Sequence, residues 1–207
     1  MESKTVSKNR LIGVFGSLLL ALVPAAHGTQ RDKAPGELES PATRDSRRME
    51  ALKEEVRHRL VTLPYYTVFD WLQAEAKADG TVILTGQVVR PTLKHDAEAR
   101  VKTIEAATQV INNIEVLPLS SFDDQLRLAL YRRIFSFDTP LFRYGTMAVP
   151  PIHILVSSGH VVLKGIVANQ SDSQLADLAA RQVANVFDVK NELQIEESTS
   201  DKRVSRK

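Results

Sequence analysis

No cysteine occurs in the 207 residues, which excludes a disulfide framework, a thiolate metal site and a lipidated cysteine at a leader cleavage site. Stability must therefore come from packing. Net charge of either sign is also scarce. The formal +2 of the chain equals that of residues 1–28, where Lys4, Lys8 and Arg10 outweigh Glu2, so the remainder is neutral. A neutral body lacks the clustered cations that phosphate contacts need, and nucleic acid is not an expected partner. No Gly-x-Ser-x-Gly or His-Glu-x-x-His motif occurs, and His58, His95, His153 and His160 fall at no metal-binding helical spacing with another ligand. The sequence offers no catalytic set, no metal site and no cofactor.

Long apolar runs are missing too, with one exception. Lys8 and Arg10 precede the unbroken run from Leu11 to Val23, and Ala26-His27-Gly28 supplies small residues after it. The run is about 13 residues, well short of the roughly 20 that span a bilayer. This pattern predicts a secretory signal peptide over 1–28 and an exported, periplasmic mature chain that is not transmembrane. Pro35-Gly36 and Pro41, set among charges, predict a flexible lead-in over 29–45, and residues 198–207, with Lys202, Arg203, Arg206 and Lys207, a flexible basic tail.

What the chain does contain is a duplicated pattern. Shifted by 79 residues, Gly80-Thr81-Val82-Ile83-Leu84-Thr85-Gly86-Gln87-Val88 falls over Gly159-His160-Val161-Val162-Leu163-Lys164-Gly165-Ile166-Val167. The register holds through Ala97 over Ala176, Val110 over Val189 and Asn112 over Asn191. From Gly80 to Val116 this gives 8 identities in 37 positions, against roughly 2 by chance. Two copies of one small unit are expected, over 46–118 and 119–197.

Each copy reads as helix, strand, strand, helix, strand. Met49, Leu52, Val56 and Leu60 recur at spacings of 3 and 4, as an amphipathic helix requires. Its counterpart opens at Ser121-x-x-Asp124, a candidate capping box, and carries Leu126, Ala129, Leu130 and Ile134. Leu72, Ala74 and Ala76 alternate with polar residues up to Asp79-Gly80, a hairpin signal. The return strand sets Val82, Leu84, Gly86 and Val88 on one face. Thr92 and Ser171, the latter with Gln174, stand as candidate N-caps for the next helix, which buries Leu93, Ala97, Val101 and Ile104 in copy one. The closing strand follows from Val110.

The order, the pattern Gly-x-Val-x-Leu-x-Gly-x-Val, a helix with Ala at its centre and a closing Val-x-Asn-x-[Ile/Leu] together resemble the BON domain (bacterial osmotically inducible protein Y and nodulation). The resemblance covers both copies. It implies an α+β fold of two tandem αββαβ domains, each a three-stranded mixed sheet with two helices on one face. It also implies a non-enzymatic protein of the cell envelope, with domains described as binding phospholipid membranes or envelope components, often linked to osmotic or envelope stress.

Among candidate site residues, Gly80 and Gly159 are expected to supply positive φ at the hairpin turns. Gly86 and Gly165 are expected to allow a close helix approach or a bulge. Asn112 and Asn191 are expected to satisfy nearby backbone groups. Eight of the 12 aromatics lie in the two loops after the first helices: Tyr65, Tyr66, Phe69 and Trp71, then Phe135, Phe137, Phe142 and Tyr144. These close thin cores or pack the copies together, or else Tyr65, Tyr66, Trp71, Phe142 and Tyr144 anchor a bilayer interface or a partner. The last helix of copy two carries Leu175 and Leu178 where copy one has Asp96 and Ala99. That wider apolar arc is expected to pack against copy one, or to dock on lipid with Arg181 and Lys190 near headgroups. The leading expectation is an anionic phospholipid surface or an envelope complex as partner. The alternative is a soluble periplasmic chaperone or adaptor that binds strands at an open sheet edge.

Overall fold

A computed structural model describes residues 41–147 and 150–196. The expected signal peptide, the expected lead-in before Pro41 and the expected tail over 198–207 lie outside the described residues.

Copy one begins with α1 (Pro41–Val61). The helix starts within the expected lead-in because its polar first turns need no core to cover them. Further along, Leu52, Val56 and Leu60 form the buried stripe, and Lys53–Glu50, Arg57–Glu54 and Arg59–Glu55 pair on the wet sides. Such exposed pairs contribute a few tenths of a kcal/mol each, so the apolar stripe determines the docking.

The sheet of copy one is β1 (Trp71–Ala76), β2 (Thr81–Val88) and β3 (Gln109–Val116) in that order, β1 antiparallel and β3 parallel to β2. A parallel step needs a crossover, and α2 (Pro91–Lys102) supplies it. Val82, Leu84 and Val88 face Leu93, Ala97 and Val101 in one core with the α1 stripe. Copy two repeats this with α3 (Ser121–Ile134), a single short turn α4 (Phe142–Gly145), β4 (Ile152–Ser157), β5 (His160–Val167), α5 (Gln170–Arg181) and β6 (Asp188–Ile195), in sheet order β4-β5-β6. The fold is two tandem α+β domains with mixed three-stranded sheets.

Helix starts correct the sequence in detail. The caps of α2 and α5 are Arg90 and Asn169, two residues before Thr92 and Ser171. Pro91 can start a helix without any side-chain cap, because its fixed φ and missing N–H suit the first helical position. Asn169 bonds the Asp172 N–H at 2.9 Å. The cap of α3 is Ser120, one residue before Ser121, and it accepts from Asp123 N–H.

The glycines divide by task. In copy two, Ser158 and Gly159 both have positive φ (52° and 81°) in a two-residue loop between Ser157 and His160, the geometry of a type I′ turn. Copy one instead closes a longer turn, with Gly80 N–H on Lys77 C=O and Lys77 N–H on Thr81 C=O, so Gly80 alone is left-handed. At Gly86 and Gly165 the close neighbour is not a helix. A Cβ there would stand 1.9 Å from the carbonyl oxygen of Trp71 or Pro151 on the adjoining chain segment.

Candidate functional site

Two surfaces distinguish copy two from copy one, and the segment between α1 and β1 accounts for the first. In residues 64–71, Asp70 is buried and its carboxylate accepts from Thr67 N–H, Thr67 O–H and Val89 N–H at 3.0, 2.7 and 2.8 Å. These bonds fix the segment in a shape that projects Val68 into the core of copy two, among Leu126, Leu130 and Ile154. The Val68 carbonyl accepts from Ile154 N–H at 2.8 Å, so copy one lies along the outer edge of β4. Phe69 meets the Tyr131 ring edge-on at 6.3 Å, while Tyr66 and Trp71 hold the His153 ring at 5.6 and 5.1 Å.

The same junction explains the burial of β4. Residues 152–156 are all buried, although alternation along a strand gives only every second residue to the helix side. His153 lies on the other side, covered by copy one. Its burial lowers the imidazole pKa from the ordinary 6.5, against the pull of the Asp70 and Thr67 backbone and the Asp70 charge. Burial likewise raises the Tyr66 phenol.

The second surface is where copy two stays uncovered. Leu175 and Leu178 are 39% and 54% exposed, so they do not pack against copy one as expected; Val68, Tyr66 and Trp71 make that contact instead. Two ties locate them. Asp172, one turn before Leu175, receives Arg143 and the Tyr144 hydroxyl, which fastens α4 to the start of α5. Gln182, one turn beyond Leu178, receives Arg133 from the end of α3. The two leucines thus lie along α5 between α4 and the end of α3. The loop joining those helices carries Phe137, 85% exposed, whose ring meets that of Phe142 at 5.1 Å.

This surface mixes apolar groups with guanidiniums. Arg133 and Arg143 are exposed and tied to it, with Asp138 as the exposed carboxylate in the loop; Arg132 is exposed on the outer side of α3. Arg143 is ion-paired with Asp172, just as Arg181 is with Asp177 and Lys190 with Glu192, whereas Arg133 bonds the neutral Gln182; Arg181 also bonds Val189 C=O.

The aromatics of the two loops separate by environment. Tyr144 is buried, receives Ala168 N–H at 2.9 Å and donates to Asp172, which removes it as a bilayer anchor. Tyr66 and Trp71 are spent on His153. Tyr65 is exposed, with φ 65° and the Arg90 guanidinium 5.1 Å over its ring. Phe142 keeps partial exposure. Phe137 was counted among the loop aromatics, whereas Arg132, Arg133 and Arg143 were not distinguished in the sequence; their signal was adjacency to the α3–α4 loop. The non-alternating run Ile152–Val156 was the available sign of a strand covered on both faces.

A cleft of about 820 Å³ also opens in copy one between α1 and the 77–80 turn. Copy two is laced at this point: Asp123 accepts from Ser158 and Gly159 N–H at 2.9 Å, and buried Arg127 donates to Val156 C=O at 2.6 Å. The matching apolar ladders place Met49 where Asp123 stands, so α1 has no such tie. Arg48, Arg59 and Lys77 on the cleft walls are balanced by Glu55, Asp79 and Glu105, which leaves no charge preference for a ligand. Among the described residues no cluster of three His, Cys, Asp or Glu could hold a metal ion, and no helix is long and apolar enough to cross a membrane.

The family description of the BON domain matches residues 50–118 and 144–197. The chain belongs to the BON domain family. BON domains are a non-catalytic family whose members are typically periplasmic or envelope-associated. A search of curated proteins finds no match. Two solved structures from Chlamydia trachomatis are similar. One is CdsD, a structural protein of the type III secretion system, 16% identical over 76% of this chain and 69% of that one, with a TM-score of 0.29. The other is the C-terminal domain of CdsD, 13% identical over 70% of this chain and 96% of that one, with a TM-score of 0.28.

Proposed function

We propose that this tandem BON protein is a non-enzymatic, exported envelope protein that docks peripherally on anionic phospholipid through copy two, in a role of envelope or osmotic stress maintenance. The observation that carries the reading is the exposure of Leu175 and Leu178 in a structure whose interdomain contact is already complete without them. Phe137 and Phe142, packed on one another in the loop between α3 and α4, add exposed apolar area on the same domain, and Arg133 and Arg143 are tied to α5 at either end of the two leucines. Each such side chain moved from water into the interface contributes on the order of 1–2 kcal/mol, and each arginine near an anionic surface about 1 kcal/mol. The combination suits shallow insertion with headgroup contacts, not spanning.

Strand capture by a chaperone has less support. Val68 occupies the β4 edge, and on β3 and β6 the Asn112 and Asn191 side chains accept from Ile114 and Leu193 N–H while bonding Lys94 and Ser173 carbonyls. On each of these edges one N–H that an added strand would use is thus already satisfied by a side chain.

Co-sedimentation with phosphatidylglycerol vesicles and with phosphatidylcholine vesicles tests the reading. The mature chain is expected to pellet with the anionic vesicles at low salt, and Leu175→Glu/Leu178→Glu to lose at least tenfold in affinity with an unchanged circular dichroism spectrum. No pelleting at low salt, or equal pelleting of the double variant, rejects it.

A further inference from the structure

The junction between the copies contains a buried titratable group that neither the fold nor the lipid surface requires. We propose that it is an acid-sensitive clasp: protonation of His153, enclosed by Tyr66, Asp70 and Trp71 of copy one, loosens residues 64–71 from the β4 edge and releases the two copies from their fixed orientation.

The geometry has three parts. His153 is buried, and its Nδ1 has no hydrogen-bond partner, as is true of the nearby buried Trp71 Nε1. The cation carries an N–H on both ring nitrogens, and Nδ1 has no acceptor within hydrogen-bond reach, so protonation buries an unpaired donor together with a charge, a costly arrangement. Next, the groups facing the ring from each neighbouring element are of both signs. Asp70 and the backbone of Thr67 and Asp70 favour the cation. Lys164, directly opposite His153 across β4–β5 and on the same face, opposes it and is itself held by Glu192 of β6. Tyr66 is uncharged across this range, its phenol being raised, and Arg90 is stacked on Tyr65, not on His153.

The third part is leverage. Val68, Phe69 and the Val68–Ile154 hydrogen bond belong to the same eight-residue segment as Tyr66, Asp70 and Trp71, so displacement at the imidazole is delivered to the contacts that join the copies. The sign follows from burial. A lowered folded-state pKa means that the neutral ring supports the closed junction above pH 6.5, and that this support is lost as the pH falls through the lowered value. The device does not depend on lipid.

Trp71 is the only tryptophan in the chain and therefore reports on the junction directly. In the mature full chain, its emission is expected to shift to the red between pH 7.5 and pH 4.5 and the small-angle scattering envelope to lengthen, with the far-UV circular dichroism unchanged. His153→Gln and His153→Phe each remove the titration, and the phenyl ring also keeps the packing. Whichever variant folds is expected to give a flat profile over that range. Three results overturn the proposal: a wild-type junction that stays closed to pH 4.5, a transition that persists in a folded variant, or loss of helix signal in the same step, which would mean global acid unfolding.

Discussion

At Gly86 and Gly165 one methyl group separates a closed hairpin from a strained one, because the added Cβ meets fixed backbone and the residues already sit at φ 128° and 125°. Gly86→Ala and Gly165→Ala are each expected to cost roughly 2–4 kcal/mol, read as a lower denaturation midpoint. Gly159→Ala meets only the exposed ring of Phe187, which can move, so about 1 kcal/mol is expected there. These glycines were visible in the sequence because they recur at a fixed interval; what crowds them was not, since strand partners are set by register. Charges follow a similar division. Lys164 and Lys190 hold the Glu192 carboxyl down at about 2 from its ordinary 4.5. A depressed carboxylate supports the fold above its ordinary value and loses that support as the pH falls toward 2. Glu192→Gln should therefore lower stability at pH 7, by an amount that solvent screening keeps small, and flatten the acid limb of a stability-against-pH curve by that same amount.

At the scale of elements, both copies solve one problem with different side chains. The backbone N–H after the central strand, at Val89 or Ala168, is reached by the loop following the first helix: the Asp70 carboxylate in copy one, the Tyr144 hydroxyl in copy two. Tyr144→Phe leaves that N–H without its acceptor and Asp172 without one donor, and is expected to lower stability by about 1–3 kcal/mol and to increase hydrogen exchange at Ala168. The helix and strand order was legible because its apolar periods are local. The N-caps were not, since Pro91 starts α2 unaided and Asn169 stands two residues ahead of Ser171. Nor was the difference in exposure within one loop: Phe137 and Tyr144 have similar surroundings in sequence, and only the Asp172 pocket sets the tyrosine apart.

For the whole molecule, the junction makes the copies unequal. Copy two gives a place in its own core to Val68, whereas the core of copy one is composed of its own residues. Residues 119–197 expressed alone should therefore melt lower than the two-domain chain and bind an apolar dye, while residues 41–118 alone should stay folded; equal behaviour of the two halves would contradict the asymmetry. Within the full chain, Val68→Asp would bury an unpaired carboxylate and is expected to cost about 3 kcal/mol or more, with Trp71 emission shifted to the red. None of this could be read from the repeat, because pairing of Val68 with Ile154 joins segments distant in sequence. It also gives the chain a direction in time. The segment that completes copy two is made before copy two exists, so the first domain can wait folded as a template on which the second finishes. Reversing the order of the two halves would keep every local element and remove that head start.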